Sequence, residues 1–127
     1  MIVKSILSAK GSNVATIAPT ATLAEASKIL SDMKIGALVV TGAGDRITGI
    51  VSERDIVRAL AQHGSAALQM PLSEVMTRKV VTCTPVDAVS VLMERMTEGK
   101  FGHLPVVDDG KLVGIISIGD VVKYRLT

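Results

Sequence analysis

Apolar positions along this chain follow two rhythms. Leu23, Ala26, Leu30 and Met33 recur at three- and four-residue spacing, the stripe of a helix that buries one face. Thr22-Leu23-Ala24-Glu25 stands just ahead of it. That is a capping box, in which threonine and glutamate satisfy the free N–H groups of the first turn. Ala37-Leu38-Val39-Val40 and Gly114-Ile115-Ile116 are short continuous apolar runs, which read as strands covered on both faces. A Gly/Asp-rich turn joins the strand Ile35–Thr41 to a second, Arg46–Ser52, and predicts a hairpin. A further helix begins near Asp55 and stops near Gly64, where glycine commonly ends a helix.

The same series occurs twice. Val14–Gly44 aligns with Val80–Gly110 at an offset of 66, and Ile47–Leu60 with Leu112–Arg125 at an offset of 65. The one-residue gap falls in the Gly/Asp turn, where a change of length is tolerated. Identical pairs include Thr16/Thr82, Pro19/Pro85, Lys34/Lys100, Gly36/Gly102, Gly49/Gly114, Ser52/Ser117, Asp55/Asp120 and Val57/Val122. In the second copy the opening strand is Val80–Pro85, Asp87 is the expected helix cap, and Val89, Leu92 and Met96 form the stripe. The strands Gly102–Val107 and Lys111–Ser117 and a helix from Asp120 complete it. The fold class is therefore α/β, with two β-α-β-β-α repeats over 1–64 and 72–127 and a joint at 65–71. A unit this small is marginal alone, and two of them packed about a pseudo-twofold axis would share one core.

Composition narrows the function. The 127 residues are 48% hydrophobic, and no apolar run approaches the ~20 residues that span a bilayer. No signal peptide is expected in Met1–Lys10, and no membrane partner. The lone Cys83 excludes an intrachain disulfide and a Cys-rich zinc site, fits a reducing cytoplasm, and is expected to pack rather than react. The six methionines are expected in the core, and His63 in solvent at a helix end. A net charge of +2 from scattered residues argues against nucleic acid. Phe101 and Tyr124 are the only aromatics, so a bound base would lie between aliphatic side chains. No metal-ligand cluster, phosphate loop, or nucleophile with a base is evident, and no enzyme is expected.

The informative motif is Gly49-Ile50-Val51-Ser52-Glu53-Arg54-Asp55 with its counterpart Gly114-Ile115-Ile116-Ser117-Ile118-Gly119-Asp120. Each sits where a strand hands over to a helix. Two roles fit the Ser/Asp pairs. They are the commonest helix caps. Such an aspartate also accepts two hydrogen bonds from a vicinal diol, such as the ribose 2′ and 3′ hydroxyls, while the serine and the helix N–H groups hold sugar or phosphate oxygens.

With the Thr-x-x-Pro openings (Thr16 to Pro19, Thr82 to Pro85) and His103-Leu104-Pro105-Val106-Val107, these motifs resemble a tandem pair of cystathionine β-synthase (CBS) domains, a Bateman module, over about Ile6 to Tyr124. The resemblance implies adenosyl ligands (AMP, ADP, ATP, NAD(H) or S-adenosylmethionine) in clefts between the domains, and a homodimer. Asp55 and Asp120 would bind ribose, with Ser52 and Ser117 beside them. Thr16, Ile17, Pro19, Thr82, Thr84 and Pro85 would line the base. Gly36, Ala37, Val39, Gly102, His103 and Pro105 would form the opposite wall. Arg54 would pair with phosphate where the second copy has Gly119, so the halves are not equivalent; His103, with Lys34, Arg78 or Lys79, would complete a thin phosphate shell. AMP is the leading ligand. The implied function is a non-catalytic nucleotide sensor that acts on an effector protein in trans. The alternative is a dimeric interaction scaffold with vestigial clefts.

Overall fold

The computed structural model describes residues 1–125. Its elements in chain order are α1 (Val3–Lys10), β1 (Thr16–Ile17), α2 (Leu23–Met33), β2 (Ala37–Thr41), β3 (Ile47–Ser52), α3 (Glu53–His63), α4 (Leu72–Val75), α5 (Val89–Gly99), β4 (His103–Asp108), β5 (Lys111–Ser117) and α6 (Ile118–Arg125). The α/β class and the order strand, helix, strand, strand, helix hold in the first repeat. β1 pairs parallel with β2, and β2 antiparallel with β3.

Among the described residues of the second repeat the sheet is the β4–β5 hairpin, and the opening strand shrinks to a single parallel bridge from Cys83 to Val106. Proline explains the loss. Val39 N–H donates to Ala15 O in the first repeat at 3.3 Å. The residue equivalent to Val39 is Pro105, which has no N–H to give. Cys83 N–H still donates to Pro105 O, and Val107 N–H to Cys83 O.

Thr22 caps α2 as predicted, accepting from Glu25 N–H at 3.2 Å. Asp87 does not cap α5. Its Oδ2 accepts from Thr84 N–H at 2.8 Å and closes the preceding turn, while Ala88 sits at the cap position. Both α2 and α5 end on a left-handed lysine, Lys34 at φ 56° and Lys100 at φ 57°. Met33, expected in the buried stripe, is 55% exposed just before that turn, whereas Met76 and Met96 are buried. The apolar strands are covered on both faces only in part: β2 is buried from Ala37 to Val40, but buried and half-buried residues alternate along β3 from Gly49 onward.

The chain divides into two compact units, Ala15–Val80 and residues 1–14 together with the chain from Val81 onward. In the first, Leu23, Leu30, Leu38, Val40, Val51, Ala59, Ala67, Leu72 and Met76 form the core. In the second, Val3 and Ile6 of α1 join Leu92, Met96, Leu104, Val106, Ile116 and Val121. The segment preceding each repeat thus packs on the other repeat. Residues 65–71, expected as a joint, form most of a 3-10 turn (Gly64–Gln69) whose Ala67 is fully buried.

The backbone bonds of this exchange match one for one. Leu72 N–H donates to Ala21 O and Ser73 N–H to Pro19 O; Val3 N–H donates to Asp87 O and Lys4 N–H to Pro85 O. Each preceding segment also meets a strand glycine. A β-carbon on Gly49 would lie 2.5 Å from Met76 Sδ, and one on Gly114 2.6 Å from Leu7 Cδ2. That close approach is what the Gly49/Gly114 identity serves.

Candidate functional site at the strand–helix junctions

The first junction assembles on β2. Thr16 lies opposite Val39 across the parallel ladder, and Ala37 opposite Ser52 across the antiparallel one. Glu53 N–H donates to Gly36 O at 3.1 Å, which fixes the start of α3 to the start of β2. Thr16, Gly36, Ala37, Val39 and Ser52 therefore share one end of the sheet. Thr16 and Arg54 are exposed, Ile17 and Pro19 half-buried, and Ala37 and Val39 buried in the strand. The second junction repeats the pattern. His103 lies opposite Ser117, Ile118 N–H donates to Gly102 O at 2.9 Å, and Cys83 pairs with Val106 between the exposed Thr82 and Thr84. Pro105 is buried, and Pro85 and His103 half-buried.

The two aspartates differ sharply. Asp55 is only 3% exposed. Its Oδ2 accepts from Ser52 N–H at 2.9 Å and Ser52 Oγ–H at 3.1 Å. Its Oδ1 accepts from Arg58 Nη1 at 3.1 Å and Thr77 Oγ1–H at 2.9 Å. Both oxygens thus carry two donors, as many as a carboxylate oxygen holds well. Ser52 and Asp55 form a reciprocal capping box on α3. The capping role is met in full at Asp55.

Asp120 is 19% exposed. Its Oδ2 accepts from Ser117 N–H at 2.9 Å, and its own N–H donates to Ser117 Oγ at 3.0 Å, so it too caps its helix. The other donor to Oδ2 is Lys10 Nζ of α1, at 2.6 Å, and the same ammonium reaches Ile115 O at 2.8 Å. Burial raises the carboxyl pKa, but the bonds from Lys10 and Ser117 outweigh it and hold the group below its ordinary value.

Of the phosphate-shell candidates, Arg78 spends one donor on Ser73 O at 2.7 Å. Lys34 lines an open groove of about 580 Å³ between α2 and α3, where Gly36 is the only other candidate residue. Cys83 is buried, and desolvation, with Asp87 nearby, pushes its thiol pKa up to about 12. Among the described residues, no cluster of three or more His, Cys, Asp or Glu side chains fits a metal ion, and no helix is long and apolar enough to cross a membrane.

Lys10 and Thr77, which clasp the two aspartates, were not among the residues singled out from sequence. A second alignment carries the signal. Residues 1–10 match 70–79 at an offset of 69, with Met1/Met70 and Lys10/Lys79 identical and Gly11-Ser12-Asn13 inserted.

A family model for the CBS domain matches residues 3–62 and again 72–127. The chain belongs to the CBS-domain family. Its repeats are those of a CBS pair, and solved structures agree. A CBS-domain protein from Agrobacterium tumefaciens is similar at a TM-score of 0.95 and 48% identity, over 98% of this chain and 92% of that one. A CBS-domain protein from Pyrobaculum aerophilum complexed with AMP is similar at 0.87 and 30%, over 99% and 94%. The CBS pair of protein MJ0100, in complex with 5′-methylthioadenosine and S-adenosylmethionine, is similar at 0.87 and 29%, over 98% and 95%. The mitochondrial CBS-domain protein CBSX3 of Arabidopsis thaliana is 35% identical over 106 residues, and the match spans 80% of this chain but 52% of that protein.

Proposed function

We propose that this CBS pair is a non-catalytic regulatory module that binds an adenosyl nucleotide, with AMP as the leading ligand, through the strand–helix junction of its second repeat. The observation that carries this reading is the contrast between the aspartates. Asp55 is buried with two donors on each oxygen, whereas the hydrogen bonds described for Asp120 converge on Oδ2 of a partly exposed carboxylate. A ribose diol approaches the second far more readily than the first. The AMP and S-adenosylmethionine complexes of similar CBS pairs support the ligand class. Thr82, Thr84, Gly102, His103 and Ser117 surround this junction in the reading, and the first-repeat residues Thr16, Ile17, Pro19, Arg54 and Ser52 play a secondary part.

The module acts as a homodimer on an effector protein in trans, in a reducing compartment such as the cytoplasm. Val57 and Val122, identical at the same helix position of the two repeats, are 65% and 54% exposed, and Met33, Leu60, Val91 and Ile118 add to these faces. A second copy covers apolar side chains of this kind in each unit, and Val57→Glu is expected to shift the mass measured by light scattering from dimer to monomer.

Calorimetric titration with AMP, ADP, ATP, NADH and S-adenosylmethionine tests the ligand reading, followed by chromatography to check that the ligand returns unchanged. Saturable AMP binding that is lost in Asp120→Ala is expected. No heat from any of the five would overturn the reading in favour of a scaffold.

A further inference from the structure

Lys10 comes from an element outside the aligned repeats and ends on the carboxylate proposed to hold ribose. Its ammonium is bound on two sides, by Asp120 Oδ2 and Ile115 O, with the side chain 21% exposed. Oδ2 also receives Ser117 N–H, so its two lone pairs are both engaged. A vicinal diol that donates to both carboxylate oxygens therefore competes with Lys10 for Oδ2. Once displaced, the ammonium sits in a largely dehydrated place and needs an acceptor, because a poorly solvated charge without a partner is costly. The 5′ substituent of the same nucleoside lies one sugar ring away from the diol, within the sweep of a lysine side chain.

We propose that Lys10 is a specificity-determining residue which makes the second-repeat site select adenosyl ligands carrying a 5′-phosphate over those whose 5′ substituent is neutral or cationic. The inference rests on the ligand reading above and adds the ligand's charge to it. A 5′-phosphate receives the displaced ammonium in a charge-assisted hydrogen bond. A thioether offers it nothing, and a sulfonium repels it. The first repeat clasps its aspartate differently. Asp55 is clasped by the neutral Thr77 hydroxyl and by Arg58 of its own helix, and Lys79, the counterpart of Lys10, is exposed.

The experiment titrates AMP and 5′-methylthioadenosine, which differ in 5′ charge but share the adenosine, into the wild-type chain, Lys10→Met and Lys10→Arg. The wild type binds AMP more tightly. In Lys10→Met the AMP preference falls by about tenfold or more, the equivalent of one hydrogen bond to a charged group. 5′-Methylthioadenosine binds that variant as well as or better than the wild type, since its competitor for Asp120 is gone. Lys10→Arg keeps the AMP preference. The wild type gives an independent reading should Lys10→Met unfold: raising the salt concentration about tenfold weakens AMP and leaves 5′-methylthioadenosine unchanged. A ratio of affinities that stays within about twofold in a folded Lys10→Met, or equal salt dependence of the two ligands, overturns the role of Lys10 and leaves the site standing. Absence of binding by either ligand to the wild type overturns both.

Discussion

Replacing Asp55 with alanine should cost far more stability than replacing Asp120, although the two residues are identical in type and equivalent in the repeat. Asp55→Ala removes an acceptor that holds Ser52 N–H, Ser52 Oγ–H, Thr77 Oγ1–H and Arg58. Arg58 is 54% exposed, so its ion pair contributes little. The neutral donors matter more. Each hydrogen bond to a charged acceptor is worth about 1.5–3 kcal/mol, and the donors of one shared carboxylate do not add in full. A loss of about 3–4 kcal/mol follows. Asp120→Ala removes a helix cap worth about 1 kcal/mol and an ion pair at a partly exposed site worth about 1 kcal/mol or less. Urea unfolding measures the difference, with unchanged slopes as the check that the transition remains the same. The two losses differ by about 1–3 kcal/mol, so on a slope of about 2 kcal/mol/M the Asp55→Ala midpoint is expected about 0.5–1.5 M below that of Asp120→Ala. Asp55→Asn should recover less than half of the loss, because its amide hydrogens would face donors. Equal midpoints for the two alanine variants would refute the view that Asp55 is a buried capping residue.

Further predictions rest on single contacts. Gly49→Ala is expected to destabilise by about 1–3 kcal/mol, and more than Gly114→Ala, because its β-carbon meets the Thr77 backbone carbonyl at 2.9 Å while that of Gly114 meets only the flexible Leu7 side chain; thermal melts decide. Cys83, buried and with its thiol pKa pushed up to about 12, should give no fast reaction with Ellman's reagent at pH 8 until denaturant is added. Lys34→Gly is expected to raise stability by about 0.5–1 kcal/mol, since φ 56° suits glycine and no side chain. The Asp120 carboxyl lies below its ordinary value in the fold, so its stabilisation is complete above the unfolded pKa of about 3.9 and is lost as pH falls through the folded value. Acid titration of Asp120→Asn should therefore show a shallower fall in stability below about pH 4 than the wild type.

The repeat, the fold class and the boundaries of most elements were legible because they depend on local pattern. The Thr22 cap, the Gly64 stop and the β2–β3 hairpin are written in adjacent residues. What escaped was non-local. Asp87 stands where a cap belongs, but the turn from Thr84 claimed its carboxylate first. Met33 keeps helical spacing, yet it falls where α2 reaches the end of the surface it covers, and nothing in the spacing marks that edge. Pro105 did carry a readable message, the missing ladder bond, because a strand neighbour without N–H shortens its partner. The clasping of Asp120 by Lys10 joins residues 110 positions apart and was masked by the three-residue insertion Gly11-Ser12-Asn13, which throws the first ten residues out of the main register. For the aspartates, one motif supports either a cap or a ligand; both cap their helices, and among the donors that differ between the repeats, Thr77 and Lys10 lie far along the chain.

The exchange of the preceding segments also sets an order of events during synthesis. The Ala15–Val80 unit is contiguous, so all of its parts have left the ribosome before the second repeat is finished. α1 is made ahead of that unit, but its Val3 and Ile6 share a core with Leu104, Val106 and Ile116 of the second repeat. Val3 and Ile6 thus wait for core partners made about a hundred positions later, with both side chains uncovered throughout. A translational pause once Val80 has emerged from the ribosome would prolong that interval without delaying the first unit, and protease sensitivity confined to α1 would report it.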